Sequence, residues 1–431
     1  MAPAVEEVRW FGGHNDRFWR GHGREAVDGR KIAAMSAFPP EAPSAARHIK
    51  LPSPFRLQAG GVLVGAEVAV ETYGRLAPAR DNAVLLFTGL SASAHARSHP
   101  GDPSPGWWEA MIGPGKALDT DRLYVISVNS LGSCFGSTGP ASINPATGLP
   151  YAGEFPELRV EDIARASQAA VDALGIRQLA AVIGSSLGGM TVLAHAVCFP
   201  GKARALVSIS GALAAMASAI ATRSLQREIV GSMLKSGAPR AAVEQAMRWA
   251  RKIGILSYVG SALLEKRFAR HQSEPFSGHP SGTDFEVESW LEHNAQKFVR
   301  QFDPWSYWSI SRAMDLFDFG SHGATPEGDE VVHDHAPSDV SRAASFLRVE
   351  RALVVGVEED LLFPVEQQRA VASVLRAAGI DTEYVELSSP YGHDAFLTEE
   401  RLFGPLLARF LRDPGVGPAP RANGDRDTLS R

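Results

Sequence analysis

Apolar residues in the middle of the chain fall into short runs bounded by turn-forming residues. Seven runs have the length and the aliphatic or β-branched content typical of strands: residues 62–73, 83–88, 123–128, 180–184, 205–209, 352–357 and 382–387. Four longer stretches have helical periodicity: residues 160–174, 187–198, 364–378 and 399–411. Strands that alternate with helices predict an α/β fold, with a mainly parallel sheet covered by helices on both faces.

The pattern changes between residues 212 and 318, where Ala, Met, Arg and Glu are frequent and no strand pattern is found. This stretch predicts an inserted helical cap. Residues 319–343 are rich in Gly, Pro, Asp and His, and we expect an exposed connection in which His322, His333 and His335 are solvated rather than metal-bound. The predicted domain organisation begins with a flexible extension (1–48) and ends with a flexible tail (413–431). Between them lie an α/β core in two parts (49–211 and 346–412) and the cap with its connection (212–345).

Composition excludes several classes of function. The chain is 45% hydrophobic and 21% charged, which is ordinary for a globular protein. Its formal net charge of −5 gives no attraction to nucleic acid or to an anionic membrane. The two cysteines, Cys134 and Cys198, are too few for a disulfide framework or a four-ligand zinc site, which suits the reducing cytoplasm.

Two features bear on targeting. The first twenty residues contain early acids and no apolar core, so they do not resemble a secretory signal. The uncharged stretch 179–200 is long enough to cross a bilayer, but paired serines, paired glycines and His195 interrupt it. We therefore expect a buried strand, turn and helix there, and no membrane association.

A G-x-S-x-G motif at residues 184–188 is the first candidate for chemistry, with Ser186 at its centre. The motif alone is weak, but it follows an apolar strand and opens a helical stretch, which is the context of a nucleophile elbow. Ser186 would stand at the carboxyl end of the sheet, and its hydroxyl would lie at the positive end of a helix. A serine hydroxyl needs a neighbouring base that is oriented by a third group.

Candidates for the acid and the base follow in the order found in α/β-hydrolase folds, which is serine, acid, histidine. Asp360 comes after the strand 352–357 and His393 after the strand 382–387. Glu358 or Glu359 could orient the imidazole instead. Among the other histidines, His195 lies inside the helix after Ser186 and His95 lies after the strand 83–88, and both are weaker candidates for the base.

The predicted fold also suggests where an oxyanion would bind. The loop after the strand 83–88 and the residue after the nucleophile supply its backbone donors in α/β-hydrolases. We expect the N–H groups of Leu90 and Leu187 to face the developing oxyanion.

Long stretches of the chain resemble the homoserine O-acetyltransferase family of α/β-hydrolase-fold acyltransferases, from about Pro52 to Leu411. The matching stretches are 105–108 (PGWW), 112–122, 129–150, 226–227, 285–291 (FEVESWL), 313–315 and 392–396 (GHDAF). Three more point to the serine O-succinyltransferase branch: 89–96 (GLSASAHA), 223–227 (RSLQR) and 251–254 (RKIG). The resemblance implies a nucleophile at Ser186, a charge-relay pair at Asp360 and His393, and substrate contacts from Arg227 and Asp394.

Arg223 stands where homoserine acetyltransferases usually have a small polar residue. A succinyl group ends in a carboxylate that an acetyl group lacks, and Arg223 could bind it. An amino-acid acceptor brings a carboxylate and an ammonium group, which Arg227 and Asp394 could bind respectively. Residues 223 and 227 would share one helix face, so two cations in one cleft would repel each other unless anions arrive. The alternative for each arginine is a surface ion pair.

The expected function is transfer of a succinyl group from succinyl-CoA to the hydroxyl of L-serine through an acyl-serine intermediate, in cysteine biosynthesis. Transfer of an acetyl or succinyl group to L-homoserine, in methionine biosynthesis, is the alternative, since the acceptors differ by one methylene. An esterase or thioesterase that uses water is a further alternative. The resemblance implies no metal and no bound cofactor, and a homodimer formed through the cap. No phosphate-binding glycine loop for CoA is found, so its binding residues stay unassigned.

Overall fold

A computed structural model of the chain describes residues 46–273, 284–322 and 338–412. The predicted tail, His333, His335 and nearly all of the predicted extension lie outside these residues. Arg47 and His48, at the end of the predicted extension, belong to the first strand. The division into domains remains a prediction.

The central element is an eight-stranded sheet with the order β1-β4-β8-β5-β9-β10-β11-β12. The six strands from β8 to β12 in this order are parallel, and β4 is antiparallel to both of its neighbours. Two short pairs, β2–β3 and β6–β7, lie outside it. The strands are β1 Arg47–Lys50, β2 Phe55–Arg56, β3 Val62–Leu63, β4 Glu67–Tyr73, β5 Ala83–Phe87, β6 Ile112–Gly113, β7 Leu118–Asp119, β8 Tyr124–Val128, β9 Leu179–Ser185, β10 Ala203–Ile209, β11 Arg351–Val357 and β12 Asp381–Leu387.

Helices follow the predicted alternation. In the described residues they are α1 Val160–Ala173, α2 Leu187–Cys198, α3 Ala217–Lys235, α4 Arg240–Tyr258, α5 Ser261–Phe268, α6 Glu286–Val299, α7 Pro304–Leu316, α8 Val340–Ser345, α9 Val365–Ala377, α10 Ala395–Thr398 and α11 Glu400–Arg412. The four helices predicted from periodicity correspond to α1, α2, α9 and α11. None of the helices in the described ranges combines the length and the apolar character that crossing a membrane requires.

Two expectations from the sequence were wrong in detail. The apolar run 62–73 predicted one strand, but β3 and β4 are separate because Gly65 takes a φ of +67° and turns the chain between them. The connection that starts at residue 319 was expected to be exposed. Its first residues are packed instead: Phe319 is fully buried, and the His322 ring lies 2.9 Å from a Glu161 carboxylate oxygen.

The sheet separates two apolar layers, because successive side chains of a strand point to opposite faces. In β5, Leu85 and Phe87 pack in the layer that contains α1, α2 and α9. Val84 and Leu86 pack in the layer that contains α11. All five residues of β5 are buried, as expected for a central parallel strand.

Helices α3 to α7 form an insertion between β10 and β11, which we call the helical insertion (residues 217–316). Its two ends meet at the sheet, where Ala214 and Asp318 form an antiparallel bridge and the Phe319 N–H donates to the Leu213 carbonyl oxygen at 2.7 Å. Within the insertion, α4 packs on α3, and α3 packs on α7. The two ends of the insertion are thereby anchored beside the carboxyl end of β10.

Candidate active site

The side chains predicted to carry chemistry follow strands that lie near one another in the sheet. Ser186 follows β9, Asp360 lies three residues after β11, and His393 lies six residues after β12. Leu90 follows β5, the neighbour of β9. Because parallel strands end at the same edge of a sheet, these residues come together there.

Ser186 occupies a sharp turn between β9 and α2, with φ of 57° and ψ of −122°. A non-glycine residue in such a conformation costs roughly 1–3 kcal/mol, and the surrounding structure must impose it. The Ser186 N–H donates to the Ile209 carbonyl oxygen at 3.0 Å, which ties the turn to β10. A Cβ at Gly184 would lie 2.3 Å from the Gly188 carbonyl oxygen, so only glycine permits the close approach of β9 and α2.

The structure brings Ser186, His393 and Asp360 into one chain of hydrogen bonds. The His393 Nε2 lies 2.8 Å from the Ser186 Oγ, and the His393 Nδ1 lies 2.7 Å from the Asp360 Oδ2. The other Asp360 oxygen accepts from the N–H groups of Leu362 and Phe363 at 2.9 and 2.8 Å. An ionised Asp360 must accept from the Nδ1 proton, so Nε2 faces the serine hydroxyl with its lone pair.

The His393 ring is fixed by its surroundings. Phe363 stacks on it with the ring centres 5.2 Å apart, and Phe396 meets its edge at 5.6 Å. Burial acts to lower the pKa of His393, but the Asp360 carboxylate outweighs burial and the pKa is raised above its ordinary value. The base is therefore oriented and made more basic by the same partner.

The alternatives left open by the sequence occupy other positions. The Glu359 carboxylate accepts from the Ser388 hydroxyl at 2.6 Å and the Ser389 N–H at 2.7 Å, and Glu358 is exposed. His195 is buried with its Nε2 2.8 Å from the Gln168 side-chain oxygen, and burial lowers its pKa to about 3. Among the acids considered as partners of the imidazole, only Asp360 hydrogen-bonds to His393, and among the histidines considered as the base, only His393 hydrogen-bonds to Ser186.

Leu90 and Leu187 are the two residues whose backbone N–H groups were predicted to bind the oxyanion. Leu90 lines the cavity next to the serine, and Leu187 begins α2. Within the described residues, neither backbone N–H donates a hydrogen bond to another residue. The two N–H groups remain the predicted donors of an oxyanion site.

His95, in the loop that carries Leu90, belongs to a polar cluster with Glu71 and Tyr73 of β4. The Glu71 Oε2 lies 3.0 Å from His95 Nδ1 and 3.2 Å from His99 Nε2 and accepts from the Tyr73 hydroxyl at 2.7 Å. Glu71, His95 and His99 could together offer three ligand atoms to a metal ion. However, the Gly101 N–H donates to His99 Nδ1, so His99 Nε2 carries the proton and donates to Glu71. These contacts fit a hydrogen-bonded support for the loop.

A cavity of about 270 Å³ opens beside Ser186, between the edge of the sheet and the helical insertion. Ser186 and His393 form part of its wall. Its charged lining residues are Arg223 from α3, Arg251 from α4, and Asp394 next to His393. Burial raises the pKa of Asp394, while His393 and Arg251 act against the rise.

Arg223 and Arg227 share one carboxylate. The Arg223 Nε lies 2.6 Å from Asp315 Oδ1, and the Arg227 Nη2 lies 2.6 Å from Asp315 Oδ2. Arg227 also donates from Nη1 to the Ser311 hydroxyl at 3.0 Å. Arg223 lines the cavity, whereas Arg227 is not among the lining residues. The two arginines do lie on one helix face, and Asp315 of α7 relieves the repulsion between them.

Sequence reasoning gave no role to Arg251, Tyr258 or Asp315. Arg251 and Tyr258 line the cavity from α4, and Asp315 supports it from α7. Arg251 and Asp315 belong to the stretches 251–254 and 313–315, whereas Tyr258 lies in neither. Those stretches could be recognised as motifs, but the orientation of each helix in the insertion could not be read from them.

Comparison with known proteins agrees with the fold. A family model described as the alpha/beta hydrolase fold matches residues 82–400. Among solved structures, esterase E22 has a TM-score of 0.74 and 25% identity, covering 85% of this chain and 99% of the esterase. A homoserine O-acetyltransferase from Bacillus anthracis has a TM-score of 0.75 and 24% identity, covering 85% of this chain and 98% of its own. These structures share the fold of the present chain.

Curated relatives are more similar in sequence. A protein of Xanthomonas euvesicatoria named serine O-succinyltransferase is 46% identical over 398 residues, which cover 86% of this chain and 98% of the relative. A protein of the same name from Litchfieldella anticariensis is 49% identical over 377 residues, covering 86% of this chain and 99% of the relative. The chain therefore belongs to the homoserine O-acetyltransferase family of α/β-hydrolase-fold proteins, in the branch that contains the relatives named serine O-succinyltransferase.

Proposed function

We propose that this protein transfers a succinyl group from succinyl-CoA to the side-chain hydroxyl of L-serine. One observation carries the proposal: a serine hydroxyl, hydrogen-bonded to a histidine, opens into a cavity that presents two guanidinium groups and one carboxylate. A succinyl group and a serine molecule together bring two carboxylates and one ammonium group. The relatives named serine O-succinyltransferase support the same choice of donor and acceptor.

The first half of the reaction acylates Ser186. His393 Nε2 takes the hydroxyl proton as Ser186 Oγ attacks the thioester carbonyl of the acyl-CoA. Asp360 holds the imidazole and stabilises the imidazolium that forms. The N–H groups of Leu90 and Leu187 bind the oxyanion. The carbon–sulfur bond then breaks, His393 returns the proton to the CoA sulfur, and an acyl-serine ester remains.

The second half transfers the acyl group to the acceptor. His393 removes the proton from the hydroxyl of L-serine, whose oxygen attacks the acyl carbonyl. The bond to Ser186 Oγ breaks, and His393 returns the proton to Ser186. Water would compete with the acceptor, so the helical insertion must exclude it while the ester is present. Such a sequence predicts ping-pong kinetics.

Arg223 is the group we assign to the terminal carboxylate of the succinyl chain. Its side chain is buried and lines the cavity, and Asp315 holds its Nε. The Nη1 atom has no hydrogen-bond partner among the described residues. A buried guanidinium with one free donor favours an anionic acyl group over an uncharged acetyl group.

The chemistry of the product also suggests the pathway and the cell compartment in which the enzyme acts. O-acylation converts the hydroxyl of serine into a better leaving group, which a sulfur nucleophile could displace to give cysteine. Cys134 and Cys198 are both free thiols, which fits the reducing cytoplasm. We therefore assign the enzyme to cysteine biosynthesis in the cytoplasm, with acyl-CoA as a co-substrate and no resident cofactor.

A homodimer formed through the helical insertion is part of the proposal. Large apolar side chains are exposed on α3 and α4, among them Leu225, Trp249 and Leu256, which are 50–52% exposed. Exposed apolar side chains that are grouped on one part of a protein are typical of an interface with another protein chain. Dimer formation would bury these apolar side chains of the helical insertion, whose two ends are anchored to the sheet.

The function is tested by product analysis over a matrix of donors and acceptors. Succinyl-CoA and acetyl-CoA are each incubated with L-serine, L-homoserine or no acceptor, and products are identified by mass spectrometry. We expect O-succinylserine as the main product, with Ser186→Ala as an inactive control. Free succinate formed at the same rate without an acceptor would indicate a thioesterase, and O-acylhomoserine as the main product would reassign the acceptor.

Arg223→Asn is expected to change the choice of donor. Removing a charged hydrogen-bond donor should lower kcat/KM for succinyl-CoA roughly 10- to 100-fold, because such bonds contribute about 1.5–3 kcal/mol. Use of acetyl-CoA should fall much less. Arg240→Asn is the matched control, since it removes an exposed arginine that pairs with Glu244 on α4. Equal losses with both donors would remove Arg223 from donor selection.

The pH dependence of kcat/KM should report the raised pKa of His393. Only the neutral imidazole accepts a proton, so activity falls as pH decreases through a midpoint above the ordinary value of 6.5. In Asp360→Asn the midpoint should move to lower pH, because burial then acts without the opposing carboxylate, while Asp394 and Arg223 still face the ring. The maximal rate should fall about 10⁴-fold.

Glu359→Gln is the control for this titration, because it removes a carboxylate next to Asp360 that pairs with Ser388 and Ser389 instead of His393. Its midpoint should equal that of the wild type. A midpoint that stays unchanged in Asp360→Asn, or that moves equally in both variants, would contradict the assignment of Asp360.

The dimer is tested by sedimentation of the wild type and of Trp249→Glu. A carboxylate at an apolar interface should dissociate the dimer, because its burial is unfavourable without a partner. Glu244→Gln, on the same helix, should leave the mass unchanged. A wild type that sediments with the mass of one chain at micromolar concentration would rule out the proposed dimer.

A further inference from the structure

A buried carboxylate, Glu71 of β4, lies at the centre of a polar cluster. Its side chain is only 2% exposed. Its Oε2 accepts from the Tyr73 hydroxyl at 2.7 Å and faces His95 Nδ1 at 3.0 Å and His99 Nε2 at 3.2 Å. Its Oε1 is buried without a hydrogen-bond partner among the described residues, so a proton on that oxygen would have no acceptor. Glu71 is therefore ionised, with three donors directed at one of its oxygens.

His95 faces an acceptor on each of its two ring nitrogens. Nδ1 points to the Glu71 carboxylate, and Nε2 lies 2.8 Å from the Ser104 carbonyl oxygen, which can only accept. Both nitrogens must therefore carry a proton, so His95 is an imidazolium ion. Burial acts to lower the pKa of His95, but the Ser104 carbonyl, Glu71 and Asp102 outweigh burial and raise the pKa above its ordinary value. Glu71 and His95 thus form a buried ion pair.

This ion pair fastens a loop to the sheet. His95 lies in the segment that follows β5, which we call the β5 loop (residues 88–104). The Tyr73 hydroxyl, on β4, accepts from the Ala96 N–H at 2.8 Å and donates to Glu71. The loop is therefore joined to β4 both by its backbone and by an imidazolium side chain, and the two connections meet at one carboxylate.

The β5 loop also carries the N–H group of Leu90, a predicted oxyanion donor. Residues 89–92 of the loop line the cavity beside the nucleophile. The start of the loop is fixed by α2, because a Cβ on Gly188 would lie 2.5 Å from the Phe87 carbonyl oxygen. The ion pair of His95 fixes the loop on the other side of the cavity-lining residues. The position of the Leu90 N–H therefore depends on both attachments.

We propose that the His95–Glu71 ion pair positions the β5 loop so that the Leu90 N–H donates to the oxyanion during acyl transfer. This inference rests on the proposed function. His95 and Glu71 act as positioning residues, since neither is among the residues that line the cavity. The oxyanion forms only as the acyl group is transferred, so a displaced donor slows the chemical steps more than it weakens substrate binding.

The test measures rate constants for each active enzyme molecule. The enzyme is mixed rapidly with saturating succinyl-CoA, and the burst of free CoA gives the rate constant of acylation, while its amplitude counts the active molecules. Adding L-serine to the acylated enzyme gives the rate constant of discharge. Both steps use the same oxyanion donor, so His95→Phe should lower both rate constants by similar factors, roughly 10- to 100-fold. The KM for L-serine should change little.

Graded variants distinguish positioning from a general loss of structure. His95→Asn keeps a donor near the place of Nδ1 and should recover part of both rate constants. Glu71→Gln should slow both steps as His95→Phe does, and combining the two should slow them by less than the product of the single effects. A structural defect alone would lower the melting temperature and the burst amplitude but leave both rate constants unchanged. If His95→Phe does not fold, His95→Asn and Tyr73→Phe supply the same measurement.

His48→Gln is the matched control. It removes a second contact between a histidine and a glutamate of β4, in which His48 Nδ1 lies 3.1 Å from Glu67 Oε1 at an exposed position. Both rate constants should equal those of the wild type. The burst of nitrophenol from p-nitrophenyl acetate is measured for every variant as well. This ester needs the same oxyanion donors but no group that binds succinate or an acceptor, so His95→Phe should slow its burst by a similar factor.

Three results would overturn the inference while leaving the proposed function intact. The first is a wild-type value of both rate constants in His95→Phe and Glu71→Gln. The second is slowing of only one of the two steps, because both use the same donor. The third is a rise in KM with unchanged rate constants, which would assign the ion pair to substrate binding. A wild type that transfers nothing to L-serine would refute the proposed function itself, and the burst with p-nitrophenyl acetate would still test the ion pair.

Discussion

The backbone of Ser186 is held in the left-handed region by β9, α2 and β10, which meet around it. Gly184 and Gly188 leave no room for a side chain, because a Cβ on Gly188 would lie 2.5 Å from the Phe87 carbonyl oxygen. The turn therefore depends on close backbone packing and on the hydrogen bond from the Ser186 N–H to the Ile209 carbonyl oxygen. It places the Ser186 hydroxyl beside His393, and the Asp360 loop and the cavity are arranged around that contact.

Much of the fold and of the site could be predicted because both depend on local pattern. Buried parallel strands are continuous apolar runs, and the strand, glycine turn and helix around Ser186 are contiguous in sequence. Asp360 and His393 could be predicted because the order of parallel strands brings late loops back to the same edge. The break between β3 and β4 was missed because its cause is one glycine conformation inside an apolar run.

The sequence was less informative about the helical insertion. The i, i+4 spacing placed Arg223 and Arg227 on one face, but the pairing with Asp315 depends on how α3 packs against α7. Likewise, Arg251 lines the cavity because of the face of α4 that is turned towards it, which the sequence does not specify. Helix orientation in an insertion is set by tertiary contacts between modest apolar surfaces, and periodicity alone specifies it poorly.

In the proposed reaction, the helical insertion would favour transfer over hydrolysis. Esterase E22 and the present chain share the fold, so the choice between water and an amino acid must lie in what surrounds the acyl-serine. The cavity is lined by two guanidinium groups and by Asp394, and under the proposed function these would bind the carboxylates and the ammonium group of the substrates. A bound acceptor would both place its hydroxyl at His393 and occupy the space from which water could attack.

The central claim is that Ser186 carries the acyl group during the reaction. Rapid acid quenching of the enzyme with labelled succinyl-CoA, without acceptor, followed by peptide mass spectrometry, tests it most directly. We predict label in ester linkage on the peptide that contains Ser186, formed together with one equivalent of free CoA and discharged when L-serine is added. Product formation at the full rate with no label on Ser186 at any quench time would contradict the account.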